Sequence, residues 1–218
     1  MVDPRSYVYM FFLVTCFIIS LFNYNNERGL KIISLLLFFS VLTDGTAITI
    51  KLLKINNSNH YILYHFFTPL WFIMVMYYYT RHIGNAAIKK GFYITVVIFC
   101  LLSAAISLKL VVVSKYPSLN NQIFYVLIII ASVITMLNIN PFEDKKLFAK
   151  AVFWVTLGFT IYCSGIFTFN SLYNYLKQKN PLLARDTFNL INSIFNDILY
   201  TLISIGFICS RMHRKFLQ

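Results

Sequence analysis

Apolar runs about as long as a bilayer is thick recur from one end of this chain to the other, separated by short polar or basic clusters. They cover residues 8–24, 31–53, 61–80, 92–113, 123–139, 150–176 and 185–210. Within each run the apolar residues are continuous, without the two-residue alternation of a transmembrane β-strand. The pattern predicts an all-α polytopic membrane protein, a bundle of about seven transmembrane helices. The whole of residues 1–218 forms one transmembrane domain, and short connections make sequence neighbours antiparallel.

Composition agrees with that reading. Hydrophobic residues make up 59% of the chain, charged residues 12%, and the mean hydropathy is +0.70. A water-soluble domain of this size has no core large enough to hide so much apolar surface. The net charge is +12, yet the basic residues stand at the borders of the apolar runs, where they meet anionic lipid headgroups. The lipid bilayer is therefore the expected partner, and direct contact with nucleic acid is not expected. Lys and Arg number eleven on the side holding the first, third and fifth loops and the C-terminus, against eight on the side of the N-terminus. That bias predicts an outside N-terminus and a cytoplasmic C-terminus. Asn56-Asn57-Ser58 matches a glycosylation acceptor and falls on the outer side.

Cys16, Cys100, Cys163 and Cys209 each fall in a different apolar run, as buried small hydrophobes do. Residues 1–24 read as a retained first helix. The second and third runs have no echo in the later half, and the Thr68-Pro69 break has no counterpart, which disfavours an inverted-repeat transporter.

Polar residues inside the runs carry the candidate chemistry. Asn189, Asn192, Ser193, Asn196, Asp197, Tyr200 and Ser204 fall within an arc of about 140° on one helix. That stripe is expected to face other helices. Asp44 lies near the centre of the second span, and Tyr64, His65 and Thr68 lie on the third. Asp44, His65, Asn189, Asn192, Asn196 and Asp197 are thus candidates for one intramembrane polar core, which either packs helices by hydrogen bonds or holds a ligand or proton. Ala151, Gly158 and Gly165 recur every seven residues and form a small-residue packing seam on the sixth span. Tyr77-Tyr78-Tyr79 and Arg81 suit an interfacial anchor.

Enzyme readings find little support. His60 and His65 fall on one side and His82 and His213 on the other, so they do not converge on zinc, and neither a metal nor a cofactor is expected. No nucleophile–base pair is spaced for covalent catalysis. Acid–base hydrolysis of a lipid by Asp44 and Asp197 is the surviving enzymatic alternative, and a pore or channel is another.

In YHFFTPLWF (64–72), FWVTLGFTIYCSGIFTF (153–169) and INSIFNDILYTLISIGFIC (191–209) the chain resembles a group of uncharacterised seven-helix inner-membrane proteins of AT-rich Gram-negative bacteria. Tyr64, His65, Trp154, Tyr162, Ser164, Gly165, Asn192, Asn196, Gly206 and Phe207 match its pattern, while Trp71 stands where the pattern has a glutamate. The chain is also similar to the small multi-pass membrane accessory encoded beside type VI-B CRISPR RNA-guided RNases. The first resemblance implies a bacterial inner-membrane signalling component, the second an accessory in antiviral defence. The expected function is non-enzymatic and signalling, regulatory or accessory. A protein partner would dock on the tail RMHRKFLQ (211–218) or the loop PFEDKK (141–146), and a homo-oligomer is the other assembly to consider.

Overall fold

A computed structural model describes residues 4–25, 27, 29–53, 60–110, 118–139 and 147–217, apart from the side chains of 60, 61, 109, 110, 174 and 212–217. Residues 56–58, the loop 141–146 and Arg28, Lys54 and Lys115 lie outside that set, as do the side chains of His60, His213 and most of the C-terminal tail.

Among the described residues the chain forms seven α-helices: α1 (Pro4–Asn23), α2 (Leu30–Leu52), α3 (His60–Thr80), α4 (Ala86–Ala105), α5 (Ser118–Asn138), α6 (Ala151–Lys179) and α7 (Pro181–Leu217). A π-helical turn, Ile106–Leu110, extends α4, and a single 3-10 turn precedes α6. Six of the seven are long and apolar enough to cross a membrane. α3, rich in tyrosine, is not among those six, and its second half is well sheltered: Phe72, Val75, Met76, Tyr78 and Tyr79 are fully or almost fully buried.

Helix starts follow capping chemistry more closely than hydropathy. α4 begins six residues before its apolar run because the Asn85 side chain accepts hydrogen bonds from Ala87 N and Ile88 N. α7 begins at Pro181, with Asn180 accepting from Leu182 N and Leu183 N at 3.1 Å. Proline suits that first position because it has no N–H to leave unpaired. Asn180 alone separates α6 from α7. With 29 and 37 residues, those helices are about 43 and 55 Å long, more than a hydrocarbon core requires.

The packing closes a ring in the order α1, α2, α3, α5, α6, α7 and back to α1, with α4 outside it against α3 and α5. The tightest seam joins α6 to α7. A Cβ on Gly158 would meet Leu199 and Leu202 at 3.3 Å, one on Gly165 would collide with the Phe195 ring, and one on Gly206 would meet the Ala151 carbonyl oxygen at 3.2 Å. Ala151 is itself completely buried. The seven-residue repeat on α6 thus runs along α7.

At the end of the bundle away from the N-terminus, the α1–α2 turn reaches across to α6. Glu27 accepts a hydrogen bond from Ala151 N at 2.8 Å, a charged acceptor at a helix start. Gly29 ends that turn with φ +85°, beneath the Tyr78 ring, where a side chain would be strained. At the other end Arg5 pairs with Asp186 at 2.9 Å, joining α1 to the first turns of α7.

Candidate functional site: a carboxylate among tyrosines

Asp44 lies on the α2 stripe that also carries Leu37, Ser40 and Ala47, all buried, so it points into the ring. The Tyr64 hydroxyl on α3 donates to its Oδ1 at 3.1 Å. The Tyr9 hydroxyl on α1 is within hydrogen-bonding reach of the same carboxylate. Tyr200 on α7 and Tyr162 on α6 complete the group: Tyr200 lies within electrostatic range of Asp44, Tyr162 and Tyr9. Two helices, α1 and α3, therefore each bring a phenol against a carboxylate supplied by α2, and Tyr200 and Tyr162 stand further out around Tyr9. Asp44, Tyr9, Tyr64 and Tyr162 each keep part of their surface accessible, although helices surround them, while Tyr200 is 7% exposed. Lys51, two turns along the α2 stripe, and Arg185 of α7 stand near each other toward the N-terminal end.

Deeper in the bundle the space is filled. Trp71, two turns below Tyr64 on α3, packs on Phe124 at 4.7 Å, Phe159 at 5.4 Å and Tyr162 at 6.1 Å between ring centroids. Such offset and edge-on contacts add to burial. The Trp71 indole thus packs α3 against α5 and α6.

His65 points elsewhere. One residue beyond Tyr64 and turned about 100°, it bonds through Nδ1 to Ser107 Oγ at 2.9 Å in the π turn. Asn120 of α5 donates to Ser107 Oγ and Ser103 Oγ at 3.2 Å, and Thr68 donates to Asn121 Oδ1 at 2.9 Å. Pro69 lacks the N–H that would bond the His65 carbonyl, so α3 is locally loosened beside this cluster. The expected single core is therefore two clusters on different faces of α3.

The α7 stripe is also narrower than expected. Ser193, Asn196 and Tyr200 are buried, with Ser193 donating to the Arg5 carbonyl at 3.3 Å. Asn189 and Asn192 are half-buried on the same side. Asn196 spends its amide on the Asn192 carbonyl at 2.8 Å, within its own helix. Asp197 departs from the expectation. It sits at the edge shared with exposed Leu190, Ile194, Thr201 and Ile208, and its covered Oδ1 has no hydrogen-bond partner among the described residues. A turn of 100° from Asn196 is enough to carry it to the outer flank. Asp44 and Asp197 thus face different ways and do not form an acid–base pair.

The sequence reading missed the role of the tyrosines. The sequence marks Tyr200 as part of the α7 stripe and Tyr162 as part of a family resemblance, but it does not single out Tyr9, and no spacing rule links four helices. Tyr162 and Tyr200 share one signal, depth: each lies inside a span, more than two turns from the run's end, where a phenol needs a hydrogen-bond partner, whereas Tyr9 stands at the start of the first run. Among the described residues no group of three or more His, Cys, Asp or Glu is arranged to hold a metal ion. No family model, curated protein or solved structure matches this chain.

Proposed function

We propose that this is a non-enzymatic membrane protein with a signalling or regulatory role, whose bundle binds a small organic cation at Asp44. One observation carries the reading: a carboxylate inside the helix ring, with the phenols of Tyr64 on α3 and Tyr9 on α1 against it and that of Tyr200 on α7 within electrostatic range. A carboxylate supplies the counter-charge, and tyrosine faces attract an ammonium group by about 0.5–2 kcal/mol each, most strongly where water is excluded. Helix packing needs no such arrangement. Ser40 and Asn196 satisfy themselves on their own helices by bonding back to Leu36 and Asn192. Because Asp44 and its neighbouring tyrosines come from α2, α1, α3 and α7, an occupant would couple the relative positions of those helices. That coupling suits a sensor.

The rival readings lack this kind of support. A two-aspartate hydrolase needs facing carboxyls, and Asp197 turns away from Asp44. A pore has no comparable observation behind it, and Trp71, Phe124 and Phe159 pack together between α3, α5 and α6.

The test is thermal unfolding of the detergent-solubilised protein with tetramethylammonium as the probe, in wild type and Asp44→Asn. A ligand at a hundred times its dissociation constant stabilises its host by about 2.7 kcal/mol. The wild type should show a saturable rise in Tm and Asp44→Asn none. Equal shifts in both proteins, or no shift in a folded wild type up to molar probe, would defeat the reading.

A further inference from the structure

At the end of the bundle away from the N-terminus, a groove of about 640 Å³ opens between the α1–α2 turn, the end of α3 and the start of α4. Lys31, Arg81 and Lys89 line it together with Tyr24, Tyr77 and Tyr93. We infer that this groove is a binding site for a phosphate-bearing anion, the headgroup of an acidic phospholipid.

Charge makes the first argument. Glu27 is the acidic residue of the lining, and its carboxylate is committed to Ala151 N at the start of α6. Three cations face the groove against it. The second argument is where two of them sit. Lys31 is in the first turn of α2 and Lys89 in the first turn of α4, and neither turn carries an acidic residue. A helix start already bears a partial positive charge and favours anions, so a lysine there is electrostatically misplaced. Two such lysines beside two helix starts raise the positive potential of one groove, and a bound anion relieves it.

Two of the cations are also held in place. Arg81 bonds the Tyr77 hydroxyl and lies 4.6 Å from that ring's centroid, and Lys31 lies 5.8 Å above the Tyr24 ring. The Tyr93 hydroxyl reaches Thr80 Oγ1 at 3.5 Å, tying α4 to α3 across the groove. Depth identifies the source of the phosphate. The groove lies at helix ends, level with half-exposed tyrosines of the kind that sit among headgroups, and exposed Leu21, Phe22, Ile94 and Val97 continue from it along α1 and α4. A diacyl lipid can place its phosphate among the cations and its chains along those residues, which a soluble phosphate cannot.

Native mass spectrometry of the protein released from nanodiscs tests this, with phosphatidylglycerol and phosphatidylcholine present in equal amounts. Wild type should retain phosphatidylglycerol in strong preference. Lys31→Gln/Arg81→Gln/Lys89→Gln should lower that preference by about a hundredfold, at roughly a factor of five per cation. Lys31→Arg/Lys89→Arg should keep it, as should Lys177→Gln/Lys179→Gln, which removes charge from the α6–α7 hairpin instead. Equal retention of both lipids, or equal losses in the groove and hairpin variants, would overturn the site. A separate arm adds glycerol 3-phosphate to detergent-solubilised protein. Tight binding there, lost in the groove triple variant, would keep the phosphate chemistry and overturn the lipid as its source.

Discussion

The α6–α7 seam yields the most quantitative prediction. A Cβ added at Gly165 overlaps three ring carbons of Phe195, and even the most distant would lie only 2.5 Å away. Carbon atoms pack best at about 3.5–4.0 Å, so the ring must withdraw by about 1 Å or more. Overpacking of this kind costs about 1–3 kcal/mol. Replacing glycine by alanine inside a helix also returns about 1 kcal/mol of propensity. Gly165→Ala alone should therefore lower stability by about 0–2 kcal/mol. That range is too wide to be diagnostic, but a double-mutant cycle with Phe195→Ala removes the ambiguity. With the ring gone, Gly165→Ala should stabilise by up to about 1 kcal/mol, and the coupling between the two sites should equal the overlap cost of about 1–3 kcal/mol. Gly158→Ala is the internal control. Its nearest neighbours would lie at 3.3 Å, a shift of a few tenths of an ångström. Equilibrium unfolding in mixed micelles, followed by far-ultraviolet circular dichroism, measures all four corners of the cycle. Additivity to within about 0.5 kcal/mol would show that the seam is not packed as described.

Other consequences can be measured in the same way. Glu27→Ala should cost about 0.5–2 kcal/mol by uncapping α6, with faster amide exchange confined to the first turn after Ala151. Exchange unchanged at that turn would contradict the cap. Asp186→Asn should cost less than about 1 kcal/mol and less still at high salt, because the paired side chains of Arg5 and Asp186 are 36% and 66% exposed. A larger, salt-independent loss would contradict that. Asp197→Leu should improve membrane insertion by about 3 kcal/mol, the gap between an aspartate and a leucine at a helix centre, and leave cation binding at Asp44 unchanged. Loss of binding in that variant would place Asp197 in the site after all.

The fold was legible because the bilayer imposes one length and one composition on every spanning helix, and seven such runs stand out in the chain. Their ends were less legible, since hydropathy does not register caps. Asn85 and Asn180 start their helices in polar sequence that an apolar window passes over. Within α7, the angular pattern located Ser193, Asn196 and Tyr200 on the buried side. It failed at Asp197, because an arc of 140° is wide enough to include residues on its outer margin. Asp44 was recognisable alone, as a carboxylate in hydrocarbon. Its partners were not, because Tyr9, Tyr64, Tyr162 and Tyr200 meet only once the ring closes, and one helix's periodicity says nothing about which helices will be neighbours. His65 shows the same limit: adjacent in sequence to Tyr64, it serves the α4–α5 side of α3.

The central claim is that the Asp44 carboxylate and its tyrosines hold a small organic cation. Equilibrium dialysis of radiolabelled tetramethylammonium against the protein in nanodiscs tests it most directly, in wild type, Asp44→Asn and Asp197→Asn. The account predicts saturable binding of about one probe per chain in wild type and Asp197→Asn, and none in a folded Asp44→Asn. Saturable binding that survives in Asp44→Asn, or no saturable binding in the wild type, would contradict it.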